Sequence, residues 1–215
     1  DIVTSIPGDS YASFENNPDY SVTTEPALFN YTAFFNTLRP PLDDPKVRQA
    51  LSYAIPYEDI INIGASGRGT QSHGTGPNGV FPYSADVKQY TYDLEKAQEL
   101  LKEAGHEGGG FSLKLTYASE NSTEEANAPL IKDSYAQVGV DVSIEPKQFS
   151  EQWTLAKTDP ANAQDIFLLL YWPTYSDAGG DNMYSMFYGT TEPPHLNVTK
   201  FNLSYWYNEE YNALW

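Results

Sequence analysis

The chain has 215 residues, with 12 Lys and Arg against 29 Asp and Glu, so its formal net charge is −17. This balance argues against binding to nucleic acid, which requires clustered positive charge to displace counterions. No apolar run approaches the ~20 residues that span a bilayer. Cysteine is absent, which excludes disulfides and a thiol nucleophile. The aromatic content of 14% argues against disorder.

Both ends of the sequence are abrupt. The first residues, D-I-V-T, show neither the basic nor the apolar segment of a targeting signal. The last residues, N-E-E-Y-N-A-L-W, resemble the opening turns of an amphipathic helix. We therefore expect the chain to be a piece of a longer protein.

Hydrophobic periodicity divides the chain into alternating strands and helices. The predicted strands are 1–6, 20–24, 29–35, 111–117, 140–144 and 166–171. The predicted helices are 46–54, 57–63, 94–104, 123–138 and 150–157. Strands separated by helices of ~10–15 residues indicate an α/β layer structure. The continuous apolar run I-F-L-L-L-Y at 166–171 predicts a fully buried central strand.

Several helix boundaries carry recognisable capping residues. Asp44 is placed as an N-cap with Pro45 in the first helical position, where its missing N–H is tolerated. Asp93 caps the next long helix, and Gly105 follows it where a left-handed residue belongs. Pro129 predicts a kink in the helix over 123–138.

The long irregular stretch 64–92 contains G-T-G-P-N-G at 74–79, which matches a dinucleotide-binding pattern. No predicted strand precedes it, and its prolines oppose a following helix, so we interpret it as a structural loop. The three histidines do not show metal-ligand spacing, so no metal site is predicted. Adjacent acid pairs such as Glu124-Glu125 carry no catalytic signal.

An aromatic segment follows the predicted central strand. Y-W-P-T-Y occupies 171–175, and Asp177 comes two residues later. Ligands bind at the carboxyl ends of strands in open α/β sheets, and Trp and Tyr provide a flat apolar face with a polar tip. The segment is therefore a candidate solute contact. A role of Trp172 in filling the core stays open as an alternative.

Three segments together resemble the extracellular solute-binding proteins of family 5, the oligopeptide, dipeptide and nickel-binding class of ABC importers. The first is F-N-T at 35–37 with P-P-L-D-D-P-K-V-R-Q-A-L-S-Y-A-I at 40–55. The second is Y-D-L-E-K-A at 92–97 with L-L-K-E-A-G at 100–105. The third is W-P-T-Y-S-D at 172–177. Their order and spacing agree with the family over nearly the whole chain.

The resemblance implies a lobe of a class II periplasmic-binding-protein-like fold, with a mixed sheet flanked by helices. Residues 1–215 would form a single lobe, the C-terminal lobe of a protein that closes around its ligand, and the other lobe would be absent. It further implies a small-molecule solute, an ABC permease in the membrane as partner, a monomer without a cofactor, and a place outside the cytoplasm, either periplasmic, extracellular or anchored at the cell surface.

The resemblance also places ligand contacts on particular residues. Trp172, Phe149 and Tyr175, with the neighbouring Tyr171, would stack on the solute, and Asp177 and Asn36 would form hydrogen bonds with it. Asn36 serves equally well in holding the turn after its strand. Peptide-binding members place an Asp three residues after the Trp, where it pairs with the α-ammonium group of the peptide. This sequence has Tyr175 there, which argues for a different solute unless Asp177 takes that role.

Two other function classes stay open on the sequence alone. One is a secreted glycoside-acting enzyme, which would need two carboxylates across a cleft. The other is a sensor lobe that binds its ligand and docks on a membrane receptor without transport. Neither class is supported by a motif of its own, so the prediction is a non-catalytic solute-binding lobe.

Overall fold

The computed structural model describes residues 2–3, 6, 10–25, 27–171 and 183–215. The strands are β1 (Asn30–Phe35), β2 (Phe111–Ala118), β3 (Val140–Lys147) and β4 (Ile166–Tyr171). The helices are α1 (Tyr11–Glu15), α2 (Pro45–Tyr53), α3 (Tyr57–Asp59), α4 (Leu94–Glu103), α5 (Ser122–Ala136), α6 (Phe149–Thr158) and α7 (Glu209–Asn212). A π-helical turn, Ile60–Gly64, continues α3.

The strands form one mixed sheet in the order β1-β4-β2-β3. Strand β2 runs parallel to both β3 and β4, and β1 is antiparallel to β4. The apolar strand β4 lies inside the sheet, as its sequence predicts. The α/β class is therefore confirmed, and three strands end at the same edge.

The sheet separates two apolar clusters. On one face, Ile166 and Leu168 of β4 pack in a cluster with residues of α2, α4 and α5, including Leu51, Leu101 and Ile131. On the other face lie the alternate residues of β4 with α6 and the C-terminal segment, in a cluster of Phe34, Ala156, Phe167, Leu169, Met186 and Leu203. Because β4 is covered on both sides, its sequence is continuously apolar rather than alternating.

The predicted helix boundaries are confirmed by hydrogen bonds. The Asp44 carboxylate accepts from the Lys46 amide at 2.7 Å, with Pro45 opening α2. The Asp93 carboxylate accepts from the Lys96 amide at 2.8 Å at the start of α4. Gly105 follows α4 with φ +83°, a left-handed conformation that favours glycine.

Two predicted strands are not formed by the residues that the structure describes. Residues 20–25 are irregular, and the Tyr20 ring packs edge-on against Phe14 of α1 with 5.1 Å between centroids. The described residues of 1–6 are also irregular, with Ile2 and Val3 strongly exposed. In both segments the β-branched and aromatic residues find no partner strand among the described residues, so their strand preference is not expressed.

The stretch 64–92 is irregular beyond its π-helical turn, as predicted, and it is docked on the sheet. The Asn30 amide at the start of β1 donates to the Thr75 carbonyl at 2.8 Å and accepts from the Ser72 hydroxyl at 3.0 Å. The glycine-rich segment 74–79 is not followed by a helix up to residue 93. Its role in the described structure is therefore that of a packed loop.

Candidate functional site

The carboxyl edge of the sheet is the candidate site. It comprises the last residues of the parallel strands, which are Ala118 of β2, Lys147 of β3 and Tyr171 of β4, together with Asn30, the first residue of β1. Register pairs join Asn30 to Tyr171 and Ala118 to Lys147. Crevices at such an edge are where open α/β sheets bind ligands.

Among the predicted solute contacts, Phe149 lies at the carboxyl edge. It is the first residue of α6, two residues beyond the end of β3. Its amide donates to the Glu120 carboxylate at 2.9 Å, which ties the turn after β2 to the start of α6. The half-buried Phe149 ring packs against Trp153 with 5.4 Å between centroids. One aromatic face at this edge is therefore held in place by both neighbouring turns.

The helix N-termini at this edge are occupied by the chain's own side chains. The Asn121 amide oxygen accepts from the Thr123 and Glu124 amides at 3.0 and 3.1 Å, which caps α5. At α6, the hydrogen bond from the Phe149 amide lowers the pKa of Glu120 and keeps its carboxylate ionised. Free helix N-termini attract anions, so this arrangement does not favour an anionic solute group at either terminus.

A buried carboxylate, Glu124, lies directly behind the edge. Its two oxygens accept from the Ala118 amide at 2.7 Å, the Leu170 amide at 3.1 Å and the Asn121 side-chain amide at 3.1 Å. The residue is 1% exposed. Burial raises the pKa of Glu124, and the charge of Glu120 adds to the effect, while the two backbone amides oppose it. Glu124 therefore connects the ends of β2 and β4.

Sequence reasoning missed Glu124 because it stood in an adjacent acid pair. Two signals could have identified it. It follows the capping Asn121 by three residues, the spacing of a capping box. It also precedes Ala128 and Ile131 by four and seven residues, which places it on the buried face of α5.

The structure does not bring Asn36 to this edge. The residue follows β1 at the opposite edge of the sheet, where its backbone amide donates to the Asp165 carbonyl at 2.9 Å. At a rise of about 3.3 Å per residue, the length of β4 separates this edge from Tyr171 by ~17 Å. The buried Asn36 side chain donates to the Gln164 carbonyl at 3.2 Å and accepts from the Leu38 amide at 3.2 Å. These contacts correspond to its structural alternative, holding the turn.

The remaining sequence candidates are Trp172, Tyr175 and Asp177, which lie outside the described residues. Tyr171 is described by its strand position alone, as the last residue of β4 and the partner of Asn30. The assignment of these residues as solute contacts stays a prediction.

A separate groove of about 480 Å³ lies beside the second half of β1. Its lining includes Ala33 and Phe35 of β1, Arg48 of α2, and Trp206 and Tyr211 of the C-terminal segment. These β1 residues pair with the first half of β4, away from the carboxyl edge. The groove is therefore a different surface from the candidate site.

The part of the chain that the structure describes holds no group of three or more His, Asp or Glu residues arranged to bind a metal ion. No helix within the same residues is long and apolar enough to cross a bilayer.

Comparison with protein families decides the relationship of the chain. The model of bacterial extracellular solute-binding proteins, family 5 Middle, matches residues 1–194. The chain belongs to this family. The resemblance predicted from the sequence motifs is confirmed, and so is the predicted mixed sheet flanked by helices.

Family 5 relatives include proteins with different solutes. The chain is 28% identical over 208 residues, 95% of its length, to the glutathione-binding protein GsiB of Pectobacterium atrosepticum. It is 28% identical over 206 residues, 94% of its length, to heme-binding protein A of Haemophilus influenzae. The chain covers 39% of the first and 36% of the second, so it spans about two fifths of the length of these curated relatives.

The fold agrees with a solved family structure. The periplasmic binding protein DppA of Helicobacter pylori, in complex with the peptide STSA, superimposes with a TM-score of 0.86 at 22% identity. The match covers 98% of this family 5 chain and 39% of the DppA chain. At this identity the comparison establishes the shared fold.

Proposed function

We propose that this family 5 chain is the solute-binding part of an ABC importer. It would capture a small solute at the carboxyl edge and deliver it to a membrane permease from outside the cytoplasm. The observation that carries this proposal is the family match over residues 1–194. Relatives named as binding glutathione, heme and a peptide support a solute-binding role rather than an enzymatic one.

The carboxyl edge supports the position of the binding surface. It holds Phe149 on a fixed turn, and the segment that contains Trp172 and Tyr175 follows directly from β4. Aromatic faces of this kind stack on peptides, sugars or other organic solutes. We assign Asp177 as a hydrogen-bonding contact in the same segment and leave Asn36 in its structural role.

We propose that residues 1–215 form one lobe and supply one wall of a cleft between two lobes. The chain covers 39% of the length of GsiB and of DppA, which supports this proposal. Closure of two walls around a ligand is a common hinge mechanism in binding proteins. A single wall leaves much of the solute in water and loses most of the contacts that give affinity.

Calorimetry on the 215-residue chain and on a longer natural protein containing it tests this proposal. Glutathione and the tetrapeptide Ser-Thr-Ser-Ala serve as probes, and mass spectrometry of co-purified solute supplies a third. We expect at least one solute to bind the longer protein, with at least 100-fold weaker binding to the 215-residue chain. Equal affinities would refute the two-wall cleft, and no captured solute of any kind would refute the solute-binding role.

Substitution of Trp172 tests the location of the site. Truncation of an aromatic anchor at a binding surface costs ~2 kcal/mol or more, about 30-fold in affinity. We therefore expect Trp172→Ala to weaken solute binding by that order in the longer protein. Trp215→Ala is the matched control, because it makes the same change at a Trp that is 54% exposed and is not an assigned solute contact. Equal effects of the two changes would contradict the assignment.

Tyr175 tests the solute class. If the solute has no ammonium group at this position, Tyr175→Asp weakens its binding and improves the binding of peptides with a free N-terminus. Competition calorimetry between Ser-Thr-Ser-Ala and its N-acetylated form measures the shift. Strong binding of the free peptide by the unmodified protein would show that Tyr175 does not exclude it.

A further inference from the structure

The sheet divides between β2 and β4 as it approaches the carboxyl edge. The two strands pair only at Leu115 with Ile166 and at Thr116 with Phe167. On either side the pairing continues to the edge, since β1 pairs with β4 as far as Tyr171 and β2 pairs with β3 as far as Lys147. The ends of β2 and β4 are therefore joined to their outer neighbours but not to each other.

Two buried side chains bind the backbone groups that this division leaves behind. From the α5 side, the Glu124 carboxylate accepts from the amides of Ala118 in β2 and Leu170 in β4. From the opposite face, the Gln152 amide of α6 donates to the Leu168 carbonyl at 3.2 Å. Glu124 is 1% exposed and Gln152 is fully buried. Buried backbone groups are costly without partners, so the division depends on these two side chains.

We propose that Glu124 and Gln152 are positioning residues that hold the sheet open between β2 and β4. In doing so they fix the backbone at Leu170 and set where the solute-contacting segment leaves β4. The inference rests on the proposed function, because the segment it positions contains the assigned solute contacts Trp172 and Tyr175. Neither residue needs to touch the solute.

The chemistry of the carboxylate makes this role specific to Glu124. An ionised carboxylate only accepts hydrogen bonds, so both oxygens can face backbone amides at once. A protonated carboxyl or an amide turns a donor toward one of them, and one contact is lost. The titratable groups that face it from neighbouring elements are Glu120 in the turn after β2 and Tyr31 in β1, and burial raises the pKa of Tyr31 as well.

Hydrogen exchange in the complete protein tests the positioning role. We expect Glu124→Gln to speed exchange of the Leu170 amide, the Ala118 amide or both at least 10-fold, and to leave the Leu115 amide, inside the ladder, unchanged. Glu125→Gln is the matched control, because it makes the same change at the next, exposed residue of α5. Unchanged exchange at both Leu170 and Ala118 in Glu124→Gln would overturn the proposal.

A second control separates positioning from general stability. Asp165 is also a buried carboxylate that accepts a β2 amide, from Lys114 at 2.7 Å, but at the opposite edge. We expect Asp165→Asn to lower thermal stability without changing solute affinity more than 2-fold. Glu124→Gln should weaken binding of the probe, glutathione or Ser-Thr-Ser-Ala, at least 10-fold. Equal affinity losses would reduce Glu124 to a structural role.

A pH titration of the unmodified protein tests the Glu124 contacts without relying on a variant that must fold. We expect the Leu170 and Ala118 amide resonances to titrate together, with a midpoint above that of exposed glutamates, and Gln152→Met to leave this midpoint in place. Amide resonances that do not respond to acid would overturn the proposal. If the resonances titrate but the complete protein captures no solute of any kind, the positioning of Leu170 stands and the proposed function fails.

Discussion

At the scale of single residues, the most informative feature is the buried carboxylate of Glu124, which is 1% exposed. A carboxylate with almost no contact with water is stable only because three donors face it. Hydrogen bonds to charged groups contribute ~1.5–3 kcal/mol each, and an unsatisfied buried partner costs a similar amount. Glu124→Ala should therefore destabilise the fold more than the neighbouring Glu125→Ala, which removes an exposed side chain.

The raised pKa of Glu124 predicts a pH dependence of stability. Because its pKa is raised, the Glu124 carboxyl binds a proton more tightly in the folded state than in the unfolded chain. Its contribution to the free energy of unfolding is therefore largest in acid. It declines as pH rises from the ordinary glutamate range through the raised pKa. We expect the difference in unfolding free energy between the unmodified protein and Glu124→Gln to decline over this window. Urea unfolding at a series of pH values measures it.

Glu125→Gln is the control for the general effect of acid. The other carboxylates of the chain are present in the unmodified protein and in each variant, so their effect on the unfolding free energy cancels in the difference. A Glu124→Gln difference that increases with pH would mean that the hydrogen bonds outweigh the burial of the charge.

At the scale of elements, the starts of β2 and β3 depend on a close contact between glycines. Gly139 precedes β3 with φ +78°, and a Cβ at this position would lie 1.9 Å from the Gly108 carbonyl oxygen. Gly110 precedes β2 with the same φ of +78°, and a Cβ there would have no heavy atom within 4 Å. The two positions therefore share backbone strain and differ in available space.

Alanine substitutions at Gly110 and Gly139 separate the cost of backbone strain from the cost of steric crowding. We expect Gly110→Ala to cost ~1–2 kcal/mol, the penalty of a left-handed conformation for a residue with a Cβ. Gly139→Ala should cost ~1–3 kcal/mol more, because the backbone of the neighbouring turn must shift. Thermal and urea unfolding of both variants provide the values, and equal costs would contradict the close packing of these turns.

The capping residue of α4 offers a second prediction at this scale. Asp93→Ala removes the acceptor of the Lys96 amide and should destabilise the fold by ~1 kcal/mol. Asp86→Ala is a suitable control, because Asp86 is an exposed loop residue. Chemical unfolding measures the stability of both variants. Equal stabilities would contradict the capping role of Asp93.

Local sequence signals predicted the elements whose determinants are local. The caps Asp44 and Asp93 and the apolar run of β4 are examples, since each depends on neighbours in the chain. The predicted strand at 20–24 was wrong because strand formation requires a partner that the sequence does not reveal. Glu124 was set aside as a member of an adjacent acid pair, and its contacts with the ends of β2 and β4 depend on how α5 packs on the sheet. Asn36 lies at the opposite edge because β1 runs antiparallel to β4, and the F-N-T motif alone does not give the direction of the strand.

At the scale of the whole molecule, the carboxyl edge combines a fixed aromatic turn at Phe149, occupied helix N-termini and a sheet divided between β2 and β4. Under the proposed function, these features belong to one wall of a cleft between two lobes. Net charge adds little about the solute, because −17 belongs to 215 residues that span about two fifths of the relatives' length. The solute is therefore better identified by direct capture than by charge.

The most direct test of the central claim is a crystal structure of the complete protein with its captured solute. We predict that the solute contacts Phe149 and the segment that follows β4, at the carboxyl edge of this sheet. A solute bound instead in the groove beside the second half of β1, or at the opposite edge near Asn36, would contradict the proposed site.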